Sequence, residues 1–161
     1  MNRSVTHFRY PGLARCWFAG IALLCLLAAC GKSAADPDAQ VRAWVHDAQV
    51  AAEAKARRDL VALISPAYAD ARGYDRDAIE KRLRVYFMRQ NSIHLVTSVD
   101  DLTLYGDTAA EVELTVAMAG TNEGAFGFSA DAYRFSMELE KGDSGWQLIS
   151  ARWGALGDEL Q

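Results

Sequence analysis

Cysteine is scarce in this chain of 161 residues, and its three cysteines, Cys16, Cys25 and Cys30, all lie within the first thirty positions. The remaining sequence has no thiol with which to form an internal disulfide bond. Its fold must therefore be held together by a hydrophobic core, which a chain of this length can build as one domain.

Histidine and the common catalytic motifs are scarce as well. Beyond Cys30 the chain has two histidines, His46 and His94, and neither has a second histidine or a cysteine at metal-ligand spacing. The sequence also lacks a G-x-S-x-G motif and the Lys-Ser/Thr of a phosphate-binding loop. We therefore expect no metal site and no cofactor, and the sequence identifies no catalytic nucleophile.

Positive charge is in short supply after the N-terminal segment. Three of the seventeen basic residues lie in the first 29 positions, which leaves fourteen basic and twenty-one acidic residues and a formal charge of −7. An acidic domain is a poor partner for nucleic acid and for anionic lipid surfaces, because both reward a basic surface. The composition thus argues against a nucleic-acid-binding function.

The first 29 residues have the composition of a secretory signal. Arg3, Arg9 and Arg15 come before or at the start of an apolar run over residues 17–29, and no acidic residue occurs in this segment. A membrane-spanning helix needs roughly 20 apolar residues, which is more than this run supplies. The pattern predicts a signal peptide in preference to a buried N-terminal helix.

The end of this segment, Leu27-Ala28-Ala29-Cys30-Gly31, resembles the lipobox of bacterial lipoproteins. The resemblance implies that Cys30 becomes the first residue of the mature protein and carries acyl chains such as palmitate. Because stable anchoring takes more than one chain, diacyl or triacyl modification implies lasting attachment to the membrane. Gly31 after the cysteine implies the outer membrane, with the domain facing the periplasm.

These interpretations divide the chain into four parts. They are a signal peptide over residues 1–29, a lipidated tether over 30–35, a folded domain over 36–155 and a loose tail over 156–161.

The first half of the folded domain has helical periodicity. A helix is predicted to begin at Asp36-Pro37-Asp38, where an acidic cap precedes a proline. A short second helix is predicted over residues 59–64, and Asp75 is predicted to cap a third helix that ends near Asn91.

The second half alternates with a period of two. Strands are predicted around residues 93–99, 112–118, 133–140 and 146–153, with short turns between them. Leu102 and Leu104 have the wrong parity for the first strand, so a strand that reaches them needs a bulge near Asp100-Asp101. The predicted fold class is α+β, with helices on one face of an antiparallel meander.

This order resembles the nuclear transport factor 2-like (SnoaL-like) superfamily. The resemblance covers about residues 38–155 and rests on Trp44, Tyr68-Ala69-Asp70, Tyr86-Phe87, Gly145-Trp146-Gln147-Leu148-Ile149 and Ala151-Arg152-Trp153. It implies a cone in which three N-terminal helices pack on a curved antiparallel sheet of about four long strands. The superfamily contains isomerases, hydrolases and dehydratases as well as ligand-binding modules, so the fold does not choose among them.

The inner wall of such a cone defines the candidate site residues. Asp70, Tyr86 and His94 are candidates for acid-base catalysis, since an apolar environment raises the pKa of a carboxyl group. Each has a structural alternative, as a turn residue, a core aromatic residue and a sheet residue respectively.

The residues predicted to bind ligand are Tyr68, Arg72, Met118, Phe126, Tyr133 and Trp153. Phe126 lies in a glycine-rich stretch, residues 120–127, that is either a mobile rim of the pocket or a long hairpin.

Three functional hypotheses remain open at this point, and the third is that the domain is only a folded plug that supports the organisation of the envelope. In the first, the protein is an envelope lipoprotein whose domain is a ligand-binding or protein-interaction module. Its partners would be the membrane, through the lipid on Cys30, and a small apolar ligand or an envelope protein. In the second, it is a small hydrolase or isomerase with an Asp/Tyr/His set in the cone. The first is favoured because no catalytic set of the superfamily matches residue by residue.

A homodimer through the outer sheet face is a further alternative, although Glu111, Glu113, Arg134 and Glu138 would decorate that face.

Overall fold

A computed structural model describes residues 36–122 and 128–161 of the chain. The predicted signal peptide, the tether with the lipidation site Cys30, and Phe126 lie outside the described residues. Among the described helices, none is both long and apolar enough to cross a membrane.

Two aspartates set the starts of the long helices. Helix α1 spans Pro37–Glu53, and the Asp36 carboxylate accepts a hydrogen bond from the Asp38 backbone N–H at 3.2 Å. Helix α3 spans Arg76–Arg89, and the Asp75 carboxylate accepts one from the Ala78 N–H at 2.8 Å. Both predicted helix starts are confirmed, because a side chain that satisfies a free N–H favours helix initiation at that position.

The short helix and the end of α3 differ from the prediction. Helix α2 spans Arg57–Ala62 and not residues 59–64. The chain leaves the helix early because Leu148 of the last strand pairs with it: the Leu148 N–H donates to the Leu63 carbonyl, and the Ser65 N–H donates to the Leu148 carbonyl, both at 2.9 Å. Helix α3 ends before Asn91 because Gln90 already belongs to the first strand.

The four strands form one antiparallel meander. They are β1 (Gln90–Tyr105), β2 (Ala109–Asn122), β3 (Phe128–Gly142) and β4 (Gly145–Ala155), and their spatial order follows their order in the chain. Every neighbouring pair is antiparallel, so β1 and β4 are the two edges of the sheet. The α+β class is thus confirmed.

The predicted bulge in β1 is present. Val99 pairs with Leu114 and Asp101 pairs with Glu113, so that Asp100 has no opposite residue. The extra residue changes the parity of the strand and lets Leu102 and Leu104 pack against the same core as Val99.

The core fills the end of the sheet where the β1–β2 and β3–β4 hairpins turn. Val41 of α1, Val112 of β2 and Leu139 of β3 are its most deeply buried side chains. Trp44, Tyr68 and Trp146 complete the surrounding cluster. The other end of the sheet, toward Met118 and Phe135, is not filled in the same way and contains the cavity described below.

The last residues of the chain fold back on β4. The Trp153 N–H donates to the Gln161 carbonyl at 3.1 Å, and the Gln161 N–H donates to the Trp153 carbonyl at 3.3 Å. Gly154 permits this approach, because a Cβ at that position would lie 2.7 Å from the Glu159 carbonyl oxygen. Residues 156–161, interpreted from the sequence as a loose tail, are therefore fastened at their end.

Replacing Leu139 with alanine tests the position of the core. Leu139 is 1 % exposed, so Leu139→Ala should lower the free energy of unfolding by about 3 kcal/mol through lost burial and a residual cavity. Urea unfolding measures this change. The control is the same substitution at Leu156, which is 54 % exposed and should change stability by less than about 0.5 kcal/mol. Equal losses for the two variants would contradict this description of the core.

Candidate ligand-binding site

A cavity of about 320 Å³ lies between the helices and the sheet. All three helices, the segment after α2 and the inner face of all four strands contribute to its wall. We call it the central cavity, and its lining residues are Trp44, Val45, Ala48, Gln49, Ala52, Leu60, Leu63, Ile64, Ile79, Leu83, Tyr86, Phe87, Ile93, Leu95, Thr97, Leu114, Val116, Met118, Phe135, Met137 and Leu148.

The wall follows from the periodicity of the sequence. On α3, residues Ile79, Leu83, Tyr86 and Phe87 recur at spacings of three and four, which places them on one side of the helix. On the strands, alternate residues face the same side of the sheet, and three such residues from each of β1 and β2 reach the cavity.

Two polar side chains of the wall bind each other and the backbone of β1. The Gln49 amide N–H donates to the Leu95 carbonyl at 3.0 Å, and the Thr97 hydroxyl donates to the Gln49 amide oxygen at 2.6 Å. Next to them, the Glu53 carboxylate accepts a hydrogen bond from the Leu95 N–H at 2.7 Å. These groups, which we call the α1–β1 clamp, are committed to the protein itself.

Tyr86 contributes the remaining polar group of the wall. Its hydroxyl lies 3.0 Å from the Met118 sulfur, which is a weak acceptor. Burial first, and then the nearby Asp131 and Tyr133, raise the pKa of Tyr86 above its ordinary value. The phenol therefore stays neutral in the physiological range and can donate a hydrogen bond to a better acceptor than sulfur.

Trp44 does not supply a second donor to the cavity. Its indole N–H has no hydrogen-bond partner among the described residues, but the nitrogen is completely buried and has no surface in contact with the open space. This unpaired N–H lowers the stability of the packed core, and it is not a group that a ligand can reach.

Among the residues that the structure describes, no charged side chain lines the central cavity. Across residues 36–122 and 128–161, the structure also contains no group of three or more histidine, cysteine, aspartate or glutamate side chains that could hold a metal ion. The cavity offers apolar contact and one hydroxyl group.

The three candidate catalytic residues occupy different places. Tyr86 lines the central cavity, whereas Asp70 and His94 do not. His94 is exposed on the outer face of β1, opposite the inward-facing Ile93 and Leu95. The structure therefore does not bring Asp70, Tyr86 and His94 together in one wall.

Asp70 organises the turn between α2 and α3. One carboxylate oxygen accepts hydrogen bonds from the backbone N–H groups of Arg72 at 2.9 Å and Tyr74 at 2.8 Å, and the other lies 3.3 Å from the Tyr68 hydroxyl. Burial, followed by the charge of Asp70 and its hydrogen bond, raises the pKa of Tyr68 far above its ordinary value. Asp70 is therefore a turn residue, whose carboxylate accepts hydrogen bonds from the backbone N–H groups of its own turn.

The residues predicted to bind ligand separate into two groups. Met118 lines the cavity. Tyr68, Arg72, Tyr133 and Trp153 are not part of its wall. The Arg72 guanidinium lies 4.4 Å from the centre of the Trp153 ring and donates to the Trp153 carbonyl at 2.9 Å, so this cation holds the turn against β4.

Sequence reasoning missed the α1–β1 clamp. The helical pattern places Gln49 and Glu53 with the solvent-facing residues of α1, but the structure places them against β1. The available signal was the spacing of Gln49 from Val45, four residues away on the same face of the helix. Because Gln49 is polar, the pattern assigned it to the solvent-facing side. The partner that its amide needs is distant in the chain, and spacing does not reveal it.

No family model matches the chain, and no curated protein matches its sequence. Solved structures do match. The chain is similar to a candidate scytalone dehydratase from Novosphingobium aromaticivorans, with a TM-score of 0.67, 14 % identity, and coverage of 76 % of this chain and 84 % of that one.

Two further structures agree with the first. A ketosteroid isomerase-like protein from Erwinia carotovora atroseptica has a TM-score of 0.61 and 13 % identity, with coverage of 74 % and 96 %. A nuclear transport factor 2-like superfamily protein from Salmonella enterica has a TM-score of 0.61 and 14 % identity, with coverage of 74 % and 90 %. The described domain therefore has the nuclear transport factor 2-like fold. At these identities the likeness concerns the fold alone.

Replacing Asp70 with alanine distinguishes a scaffold residue from a site residue. Asp70→Ala removes the acceptor of two backbone N–H groups and should lower the free energy of unfolding by about 2 to 3 kcal/mol. Urea unfolding measures the loss. The control is Asp107→Ala, at an exposed turn position, which should be nearly neutral. An Asp70→Ala variant as stable as the control would show that the turn does not depend on this carboxylate.

Proposed function

We propose that this chain is a membrane-anchored envelope lipoprotein whose domain binds a small, neutral and largely apolar ligand. The observation that carries the binding proposal is the central cavity of about 320 Å³, whose wall contains no charged side chain from residues 36–122 and 128–161. The anchoring proposal rests on the sequence from Leu27 to Gly31, with the lipid on Cys30. We place the protein at the outer membrane, facing the periplasm.

The size of the cavity limits the ligand. An apolar cavity of about 150 Å³ accommodates benzene, and the central cavity has about twice that volume. A two-ring molecule, or an aliphatic one of similar bulk, matches this space. A ligand carboxylate or ammonium group would have to give up its hydration with no opposite charge in the wall, which is costly.

Tyr86 gives the ligand an orientation. Its hydroxyl bonds only the Met118 sulfur within the described residues, and a ligand carbonyl or hydroxyl oxygen is a stronger acceptor. We therefore propose that the ligand has one oxygen at the end that lies against Tyr86 and is otherwise apolar.

Binding is favoured over catalysis for a chemical reason. General acid-base catalysis needs a group whose pKa lies near the working pH. Tyr86 is the titratable side chain of the cavity wall, and its pKa is shifted upward, away from neutrality. The hydrolase or isomerase alternative would need a second group in the cavity, and neither Asp70 nor His94 lines it.

The phenylalanine variant of Tyr86 tests the binding site. The probes are 1-tetralone, which carries a carbonyl group, and naphthalene, which has a similar shape without one. Tyr86→Phe should weaken 1-tetralone binding about fivefold, which corresponds to one hydrogen bond, and should leave naphthalene binding nearly unchanged. Quenching of tryptophan fluorescence measures both affinities.

The control for this experiment is Tyr105→Phe, because Tyr105 is 58 % exposed and does not line the cavity. It should leave both affinities unchanged. If Tyr86→Phe weakens both probes equally, the hydroxyl does not bind the carbonyl. If the unmodified protein binds neither probe, the binding proposal itself is wrong.

Replacing Cys30 tests the anchor. Cys30→Ser should leave the melting temperature of the domain unchanged, abolish incorporation of labelled palmitate and release the protein from the membrane fraction. Cell fractionation and metabolic labelling measure these outcomes. The control is Cys25→Ser, which lies in the predicted signal peptide and should change neither labelling nor membrane association. Tight, labelled membrane association of the Cys30→Ser protein would disprove lipidation at this residue.

A further inference from the structure

Helix α3 is basic, although the chain as a whole is acidic. It carries five basic residues, Arg76, Lys81, Arg82, Arg84 and Arg89, against the two acidic residues Asp77 and Glu80, and so has a net charge of +3. The complete chain has a net charge of −4. Positive charge is therefore concentrated on one element.

Much of this charge is on one exposed side of the helix. Lys81, Arg84, Val85 and Met88 recur at spacings of three and four and so share a face, and Arg89 follows in the last turn. Met88 is 73 % exposed and Val85 is 42 % exposed. We call Lys81, Arg84, Val85, Met88 and Arg89 the basic face.

The cations of the basic face have no partners within the described part of the chain. The ion pairs found there join Arg42 to Asp38 and Arg57 to Glu80, and Arg82 lies over the Tyr74 ring. Lys81, Arg84 and Arg89 make no hydrogen bond, ion pair or ring contact with a described residue. They are free to bind a negatively charged surface.

The opposite side of α3 is part of the wall of the central cavity, through Ile79, Leu83, Tyr86 and Phe87. No residue of α3 is fully buried. The helix is thus a single layer with the cavity on one side and the basic face on the other.

We infer that the basic face of α3 docks on an anionic phospholipid surface. Charge complementarity supports this partner, since anionic headgroups attract lysine and arginine side chains that lie near the surface. The composition supports it as well, because a membrane surface accepts apolar side chains between cations. Met88 and Val85 enter the headgroup region while Lys81 and Arg84 contact phosphates.

This docking has a consequence for the cavity. With α3 on the membrane, one helix separates the lipid from the apolar space behind it. The docking itself depends neither on the lipid at Cys30 nor on ligand binding, so it can fail or succeed apart from the proposed function.

Oxidation of Met88 reports the docking directly. The full-length chain is treated with dilute hydrogen peroxide in the presence of vesicles of phosphatidylcholine alone, or of phosphatidylcholine mixed with phosphatidylglycerol. Oxidation follows exposure, so Met88 should be oxidised at least about threefold more slowly on the anionic vesicles. Peptide mass spectrometry measures the rate, and molar salt should restore it. The N-terminal segment carries Arg3, Arg9 and Arg15 and can itself bind the anionic vesicles. It is identical in the charge variants described next, so a difference between those variants does not come from it.

Matched charge variants locate the contact. Lys81→Gln with Arg84→Gln should abolish most of the protection of Met88. Arg58→Gln with Arg134→Gln removes the same charge from exposed positions on α2 and β3 and should leave the protection intact. Circular dichroism confirms that both double variants are folded.

Three outcomes would overturn the inference. One is an equal rate of Met88 oxidation on the two kinds of vesicle. Another is an equal loss of protection in both double variants, which would indicate a response to net charge alone. The third is protection of the same size by soluble polyglutamate, which would identify an acidic protein as the partner of this face.

Discussion

The central cavity depends on the way α1 is held to the edge of the sheet. Strand β1 is an edge strand, and backbone groups on its free side need partners. The α1–β1 clamp supplies them: Gln49 accepts the restraint at the Leu95 carbonyl and Glu53 at the Leu95 N–H. If α1 moved inward to fill the cavity, these bonds would break and leave buried polar groups unpaired, which costs more than the bonds themselves contribute. The hydrogen bonds of the α1–β1 clamp, at the β1 edge of the sheet, thus keep the neighbouring apolar cavity open.

Helix α3 is less deeply buried than the clamped helix α1. Helix α1 has four buried residues, whereas α3 has none. The inner side chains of α3 face open space, and a side chain without neighbours on one side loses dispersion contacts there. A ligand in the cavity would restore those contacts, so occupancy and the packing of α3 are coupled. The coupling needs no conformational switch, only the filling of a space that the fold holds open.

Local features of the structure could be predicted from the sequence, and non-local ones could not. The caps Asp36 and Asp75 and the bulge at Asp100 were predictable, because each depends on residues a few positions apart. The inward position of Gln49 depends on Leu95, and the stacking of Arg72 depends on Trp153. Those partners are 46 and 81 residues away along the chain, and no periodicity connects them. The wall of the cavity was predictable where it is apolar and unpredictable where it is polar.

The chemistry of the cavity argues for retention of a molecule in preference to its transformation. A catalytic site gains its power from charged or ionisable groups placed where charge develops in the transition state. In the part of the chain that the structure describes, the wall of this cavity has no charged side chain, its amide and its threonine hydroxyl are bonded within the clamp, and its phenol has a raised pKa. Such a wall offers a neutral molecule apolar contact and one hydrogen-bond donor, which are interactions that a ground state and a transition state can share. The same features suit the binding of an apolar molecule that we propose.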